Sequence, residues 1–147
     1  MAAGRTGRVS GPAGLGRIVG MRGRLHHIVL DCSDADELAG FYSALLGQPV
    51  TYRSADWVVV AENDHSSGLA FQPVAHYIPP IWPEGVPGQQ LHLDVMVNDV
   101  DAADEWVVSL GARRLPSDDS RSHVYADPAG HPFCLIPKPG WAPDIGA

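Results

Sequence analysis

The chain has 147 residues, 45% of them apolar, and a formal net charge of −7, which is one domain's length with enough apolar side chains for an ordinary core. No run of ~18 apolar residues is present, so no segment of the sequence is a candidate membrane-crossing helix. The charge is uneven: Arg5, Arg8, Arg17, Arg22 and Arg24 stand in the first 24 positions with no acid, leaving five basic against 17 acidic side chains in the rest, a balance that repels nucleic-acid phosphates and argues against DNA or RNA binding.

The first two dozen residues hold seven Gly, one Pro and five Arg, a composition that cannot bury a core. The apolar stretch of a secretory signal is missing. Residues 1–23 are therefore expected to be a disordered extension, or an over-long start with Met21 as the true beginning. Residues 25–32 alternate and are rich in β-branched side chains, the pattern of a strand. Ser33 or Asp34 then caps a helix whose first turn holds Asp36 and Glu37. Leu38, Phe41, Tyr42 and Leu45 fall at helical spacing and form its apolar face. Gly47 suits a left-handed cap, and Pro49 stops continuation. Shorter strands are expected near 51–53, 57–61 and 68–72. Residues 73–90 carry Pro73, Pro79, Pro80, Pro83 and Pro87, too many for a central strand, and read as a connection.

The pattern then restarts. Residues 91–97 form a strand, with Leu91, Leu93, Val95 and Val97 on the helix side. Asn98 or Asp99 caps a helix with Val100, Ala103, Val107 and Leu110 as its buried stripe, and Gly111 ends it. Strands follow near 113–115, 123–126 and 133–136, with the turn sequence Asp127-Pro128-Ala129-Gly130 between the last two. The order βαβββ occurs twice. His27 and His92 open the two copies 65 positions apart, each followed seven residues later by an Asp, Asp34 or Asp99. A repeated unit of this kind builds a two-fold-like structure in which each half supplies one imidazole. Alternation puts His27, Val29 and Asp31 on one face of the first strand, with Ile28 and Leu30 toward the helices, and gathers His92, Asp94 and Met96 on one face of the fifth. These faces are expected to line a cleft.

The motifs His27-Ile-Val-Leu-Asp-Cys-Ser-Asp34, Phe41-Tyr42 with Leu46-Gly47, His92-Leu-Asp-Val with Asp99, and Asp127-Pro-Ala-Gly130 before a strand resemble the vicinal oxygen chelate superfamily. That superfamily includes glyoxalase I, extradiol dioxygenases, and fosfomycin- and bleomycin-resistance proteins. The resemblance spans residues 24–138: module one 24–75, a linker 76–89 and module two 90–138, with a tail at 139–147. It implies an α+β fold, two βαβββ modules forming a curled mixed sheet around a cleft with helices outside, and a homodimer. Its metal ligands carry over to His27, Gln72, His92 and Cys134. Members usually place Glu at the last of these positions and often at the second, so this chain lacks anionic charge that a hard divalent cation needs. A thiolate at Cys134 instead favours Zn; with Cys134 as a small buried hydrophobe, the protein holds no metal.

Asp31 and Asp94 are candidate acid/base groups or orienters of the imidazoles. Trp57, Trp82, Tyr77 and His131 are candidate pocket residues, with Trp82 at the rim, while Phe71 and Tyr42 read as core. Two thiols far apart, Cys32 and Cys134, point to a reducing, cytoplasmic setting. Two functions follow. One is small-molecule binding in the inter-module cleft with metal-assisted lyase, isomerase or dioxygenase chemistry. The alternative is metal-free ligand sequestration of the bleomycin-resistance type.

Overall fold

The computed structural model describes residues 23–118 and 123–146. The expected N-terminal extension, residues 1–22 with Met21, lies outside the described residues. Two βαβββ modules follow in order. The first holds β1 (His27–Cys32), α1 (Ala35–Leu46), β2 (Val50–Ser54), β3 (Trp57–Val60) and β4 (Gly68–Pro73). The second holds β5 (Leu93–Val97), α2 (Val100–Ser109), β6 (Arg113–Arg114), β7 (His123–Ala126) and β8 (Pro132–Pro137). Each module makes a four-stranded mixed sheet of the same topology, β1-β4-β3-β2 and β5-β8-β7-β6. In each, the first and last strands pair in parallel, Val29 opposite Ala70 and Asp94 opposite Cys134.

Local chemistry starts and stops the helices where the sequence signals it. The carboxylate of Asp34 accepts from the Glu37 amide at 3.0 Å, and that of Asp99 from the Ala102 amide at 2.9 Å. Each satisfies an amide that the first helical turn leaves without a partner. Gly47 closes α1 at φ 62°, a conformation that costs glycine nothing. All four predicted apolar positions of α1 are buried; in α2, Ala103 and Val107 are buried while Val100 and Leu110 are only partly covered.

Both modules feed one core. From the first come Leu30, Val58, Val60, Leu69 and Phe71 beneath α1; from the second, Val97, Tyr125, Phe133 and Leu135 beneath α2. Helix α1 touches both: the rings of Phe41 and Phe133 meet edge to face at 5.7 Å. The opposite face of each sheet carries its own small cluster. Val59, Ala61 and Ala70 pack with Trp57 in the first module, and Leu115, Val124 and Ala126 with Trp82 and Cys134 in the second. Two expected helix-facing positions are exposed, Ile28 at 36% and Leu91 at 54%, and Leu93 and Val95 are only partly covered. Ile28 lies at the start of an edge strand, and Leu91 precedes β5 altogether.

Candidate functional site

A hollow of about 290 Å³ opens where the two modules meet, and it draws on five parts of the chain. Strand β1 supplies Val29 and Asp31, α1 supplies Tyr42, and the proline-rich connection supplies Tyr77 and Ile78. The approach to β5 supplies Leu91 and His92, and the entry into β8 supplies His131 and Pro132. Alternation explains the membership: Val29 and Asp31 are two apart on a strand, so both side chains leave the same face.

Asp127 is the single buried charged residue among the described residues, at 4% exposure. It opens the Asp127-Pro-Ala-Gly130 turn. One carboxylate oxygen accepts from the amides of Ala129 and His131 at 2.9 Å each, and the other accepts from the Tyr42 hydroxyl at 2.9 Å and faces His131 Nδ1 at 2.9 Å. His131 Nε2 lies 3.1 Å from the Tyr77 hydroxyl, which donates to the carbonyl of Ala129 at 2.9 Å. Burial, together with the negative charge of Asp127, pushes the Tyr77 phenol up to about 12. The same two causes raise Tyr42 further. Gly130 sits at φ 92°, and a Cβ there would come within 2.7 Å of Pro79, so the turn and the connection pack too closely for any other residue.

A second constellation lies on the inner face of the second sheet. One ligand atom each from His92, Asp94 and Cys134 lie within 4.8 Å of one another, the only such His/Cys/Asp/Glu group among the described residues. The nearest approach of the imidazole and carboxylate is 3.4 Å, between His92 Nε2 and Asp94 Oδ1. His92 and Asp94 are exposed and Cys134 half-buried.

His27 stands elsewhere. It lines a second, more open hollow of about 640 Å³ on the inner face of the first sheet, with His26, Tyr52, Trp57 and Asp64. Its Nδ1 accepts from the Gly68 amide at 3.3 Å. Burial, then the neighbouring His26, hold its pKa below the usual imidazole range. Gln72 is exposed at the end of β4, opposite Asp31 in the register. Trp82 covers the cluster on the second sheet and donates its indole N–H to Pro116 at 2.8 Å, beside a small hollow of its own. Of the four positions carried over as metal ligands, His92 and Cys134 come together; of the four pocket candidates, Tyr77 and His131 do. Sequence reasoning left out Asp127 as an anchor and Tyr42 as a wall residue; the local signal was an Asp opening a turn with a His four positions on.

The architecture has many counterparts. A glyoxalase-related enzyme from Fulvimarina pelagi is 23% identical, with 84% of this chain and 93% of that one aligned at a TM-score of 0.60. A glyoxalase/bleomycin resistance protein/dioxygenase family enzyme from Burkholderia phytofirmans is 17% identical over 78% of this chain and 98% of that one, at 0.58. A fosfomycin resistance protein from Mesorhizobium loti is 16% identical over 79% and 92%, at 0.56. No curated protein matches the chain. At these identities the likeness speaks for the fold. The family model described as a glyoxalase-like domain matches residues 27–136, both modules from the first strand to the last, and the chain therefore belongs to the glyoxalase-like domain family.

Proposed function

We propose that the protein binds a small molecule in the hollow between its two modules. The observation that supports this is the wall itself. Apolar side chains make up much of it, and polar groups, Asp31, Tyr77, Gln89, Gln90, His92 and His131, reach it from both halves of the chain, the usual make-up of a small-molecule site. The ligand's body would lie on Val29, Leu93 and Pro132, with its polar atoms toward Tyr77 and His131. The test is to fill the hollow. Leu91 is exposed at its wall, so Leu91→Trp is tolerated by the core. A panel of small oxygenated molecules is expected to raise the melting temperature of the wild type and not of this variant. A ligand at ten times its Kd stabilises by about 1.4 kcal/mol, enough to read. No stabilising compound, or equal shifts in both proteins, overturns the reading.

A metal-assisted lyase, isomerase or dioxygenase activity is favoured by one observation, the His92–Asp94–Cys134 group. An imidazole, a carboxylate and a thiolate are donors that suit Zn and leave a coordination position open. When bound, the metal would polarise a substrate oxygen. His92 belongs to both the group and the hollow, which links this chemistry to the same ligand. Stoichiometric zinc that is lost in Cys134→Ser, and a sulfur-to-cobalt charge-transfer band after cobalt substitution, are the expected results. Zinc retained in that variant removes the thiolate from the site. The half-exposed inner faces, with Val29 at 40% and Met96 at 37%, support a homodimer.

A further inference from the structure

The carboxylate of Asp127 meets four donors and has no exposed side-chain surface. A carboxylate so surrounded acts as an acceptor only, so the contact with His131 requires the imidazole to carry its proton on Nδ1. This leaves Nε2 for the cleft side, where it lies 3.1 Å from the Tyr77 oxygen. The phenol has one proton. With a neutral imidazole, Nε2 and the Ala129 carbonyl compete for it, and one goes unmet. With Nε2 also protonated, every group is paired and the phenol proton points to Ala129. In both cases Tyr77 ends the chain of hydrogen bonds. Its proton sits in a bond that rotation about the C–O axis can redirect to an oxygen arriving in the hollow. Asp127, buried in the turn and tied to α1 through Tyr42, is the fixed end.

The remaining wall sets the rest of the ligand. Val29, Ile78, Leu91 and Leu93 give the hollow an apolar floor, Gln89, Gln90 and His92 add polar groups along the approach to β5, and the carboxylate of Asp31 disfavours a ligand carrying negative charge. Resting on the reading of this hollow as a ligand cleft, we infer that Tyr77 is a hydrogen-bond donor to the neutral carbonyl oxygen of an apolar-bodied ligand, with His131 and Asp127 as the residues that position it. The raised ionisation of Tyr77 keeps its proton in place throughout neutral pH.

Three fluorinated probes, followed by fluorine NMR, test the assignment. They are 4-fluoroacetophenone, the similarly shaped 1-ethyl-4-fluorobenzene without oxygen, and anionic 4-fluorobenzoate. The ketone is expected to bind the wild type about threefold to tenfold tighter than the hydrocarbon, the span of one net hydrogen bond. In Tyr77→Phe the gap closes while the hydrocarbon's affinity is unchanged. Nitrogen NMR of His131 supplies a readout that a purely structural role would not move: the Nδ1 proton persists in Tyr77→Phe, and adding the ketone to wild type shifts Nε2. Equal binding of ketone and hydrocarbon, a gap that survives Tyr77→Phe, or an unmoved Nε2 overturns the assignment and leaves the cleft standing. Benzoate binding tighter than the ketone overturns the neutral-carbonyl class. Failure of all three probes to bind overturns the cleft as well.

Discussion

Tyr42 packs its ring against Phe41, Phe71 and Phe133, yet its hydroxyl reaches Asp127, 85 positions along the chain. The motif Phe41-Tyr42 announced a buried helix face, and that face is buried. Nothing local announced the hydrogen bond, because it joins the first helix of one module to the last turn of the other. Removing the hydroxyl leaves a buried carboxylate one donor short, and such a loss costs about 1–3 kcal/mol. Tyr42→Phe should therefore lower the unfolding free energy by that amount, read as a lower urea midpoint with the slope unchanged; an unaltered midpoint would mean that Asp127 is satisfied without it. Cys32 adds a pH dependence. Burial, reinforced by Asp34, Asp127 and Asp31, pushes its thiol up to about 11 from an ordinary 9.0. The folded state thus binds that proton more tightly than the unfolded chain does. The stabilisation is complete below pH 9.0 and is lost as pH rises toward 11. Urea melts across that window should show falling stability, with a shallower fall in Cys32→Ala; equal slopes would assign the loss to the buried phenols instead.

At the scale of elements, the succession βαβββ in each half, both helix starts and the Gly47 stop were legible because period and capping chemistry are local properties. The candidate site was legible in part. The repeat pointed to His27 and His92, but each module has its own inner face, so repeat-related positions line different hollows. The connection offered Tyr77 and Trp82 as aromatic pocket candidates among its prolines, but which hollow each one lines depends on tertiary packing that no short pattern encodes. The docking of α2 onto β6 and β7 is another long-range device. Asp104 on the helix accepts from the Tyr125 hydroxyl and pairs with Arg114, whose guanidinium also lies 5.2 Å over the Tyr125 ring. The hydrogen bond from Tyr125, then Arg114 and His123, hold the Asp104 carboxyl below its usual range against the opposing effect of burial. A depressed carboxylate stabilises the fold above its unfolded pKa of about 4 and loses that contribution as pH falls through the folded value. Tyr125→Phe should accordingly be less stable than wild type at neutral pH, with the gap closing as pH falls through the lowered range of the folded Asp104 carboxyl. The gap will be small, since the Asp104 side chain is 38% exposed and screened by water. A gap independent of pH would place the effect in ring packing rather than charge.

For the molecule as a whole, the decisive fact is that the helix-facing sides of both sheets belong to one apolar cluster. Two modules with separate cores could unfold one at a time. Here Phe133, fully buried on β8, contacts Phe41 and Tyr42 of the first module and stacks on Tyr125 of its own. Truncating it removes packing from both halves at once. A Phe→Ala change in such a position costs about 3–5 kcal/mol, a large share of a domain's total stability. The shared core predicts one cooperative transition. Tryptophan reports on it from both halves, Trp57 on the inner face of the first sheet and Trp82 over that of the second. In single-tryptophan variants, the Trp57 and Trp82 signals should give the same denaturant midpoint, and Phe133→Ala should lower both equally. If Phe133→Ala moved only the Trp82 midpoint, the modules would be independent folding units, and a hollow walled by both could not be a rigid site. Coincident midpoints would mean that the geometry at Asp31, Tyr77, His92 and His131 is held by the stability of the entire fold, so that a core substitution far from the hollow weakens ligand binding by loosening the relation between the two halves.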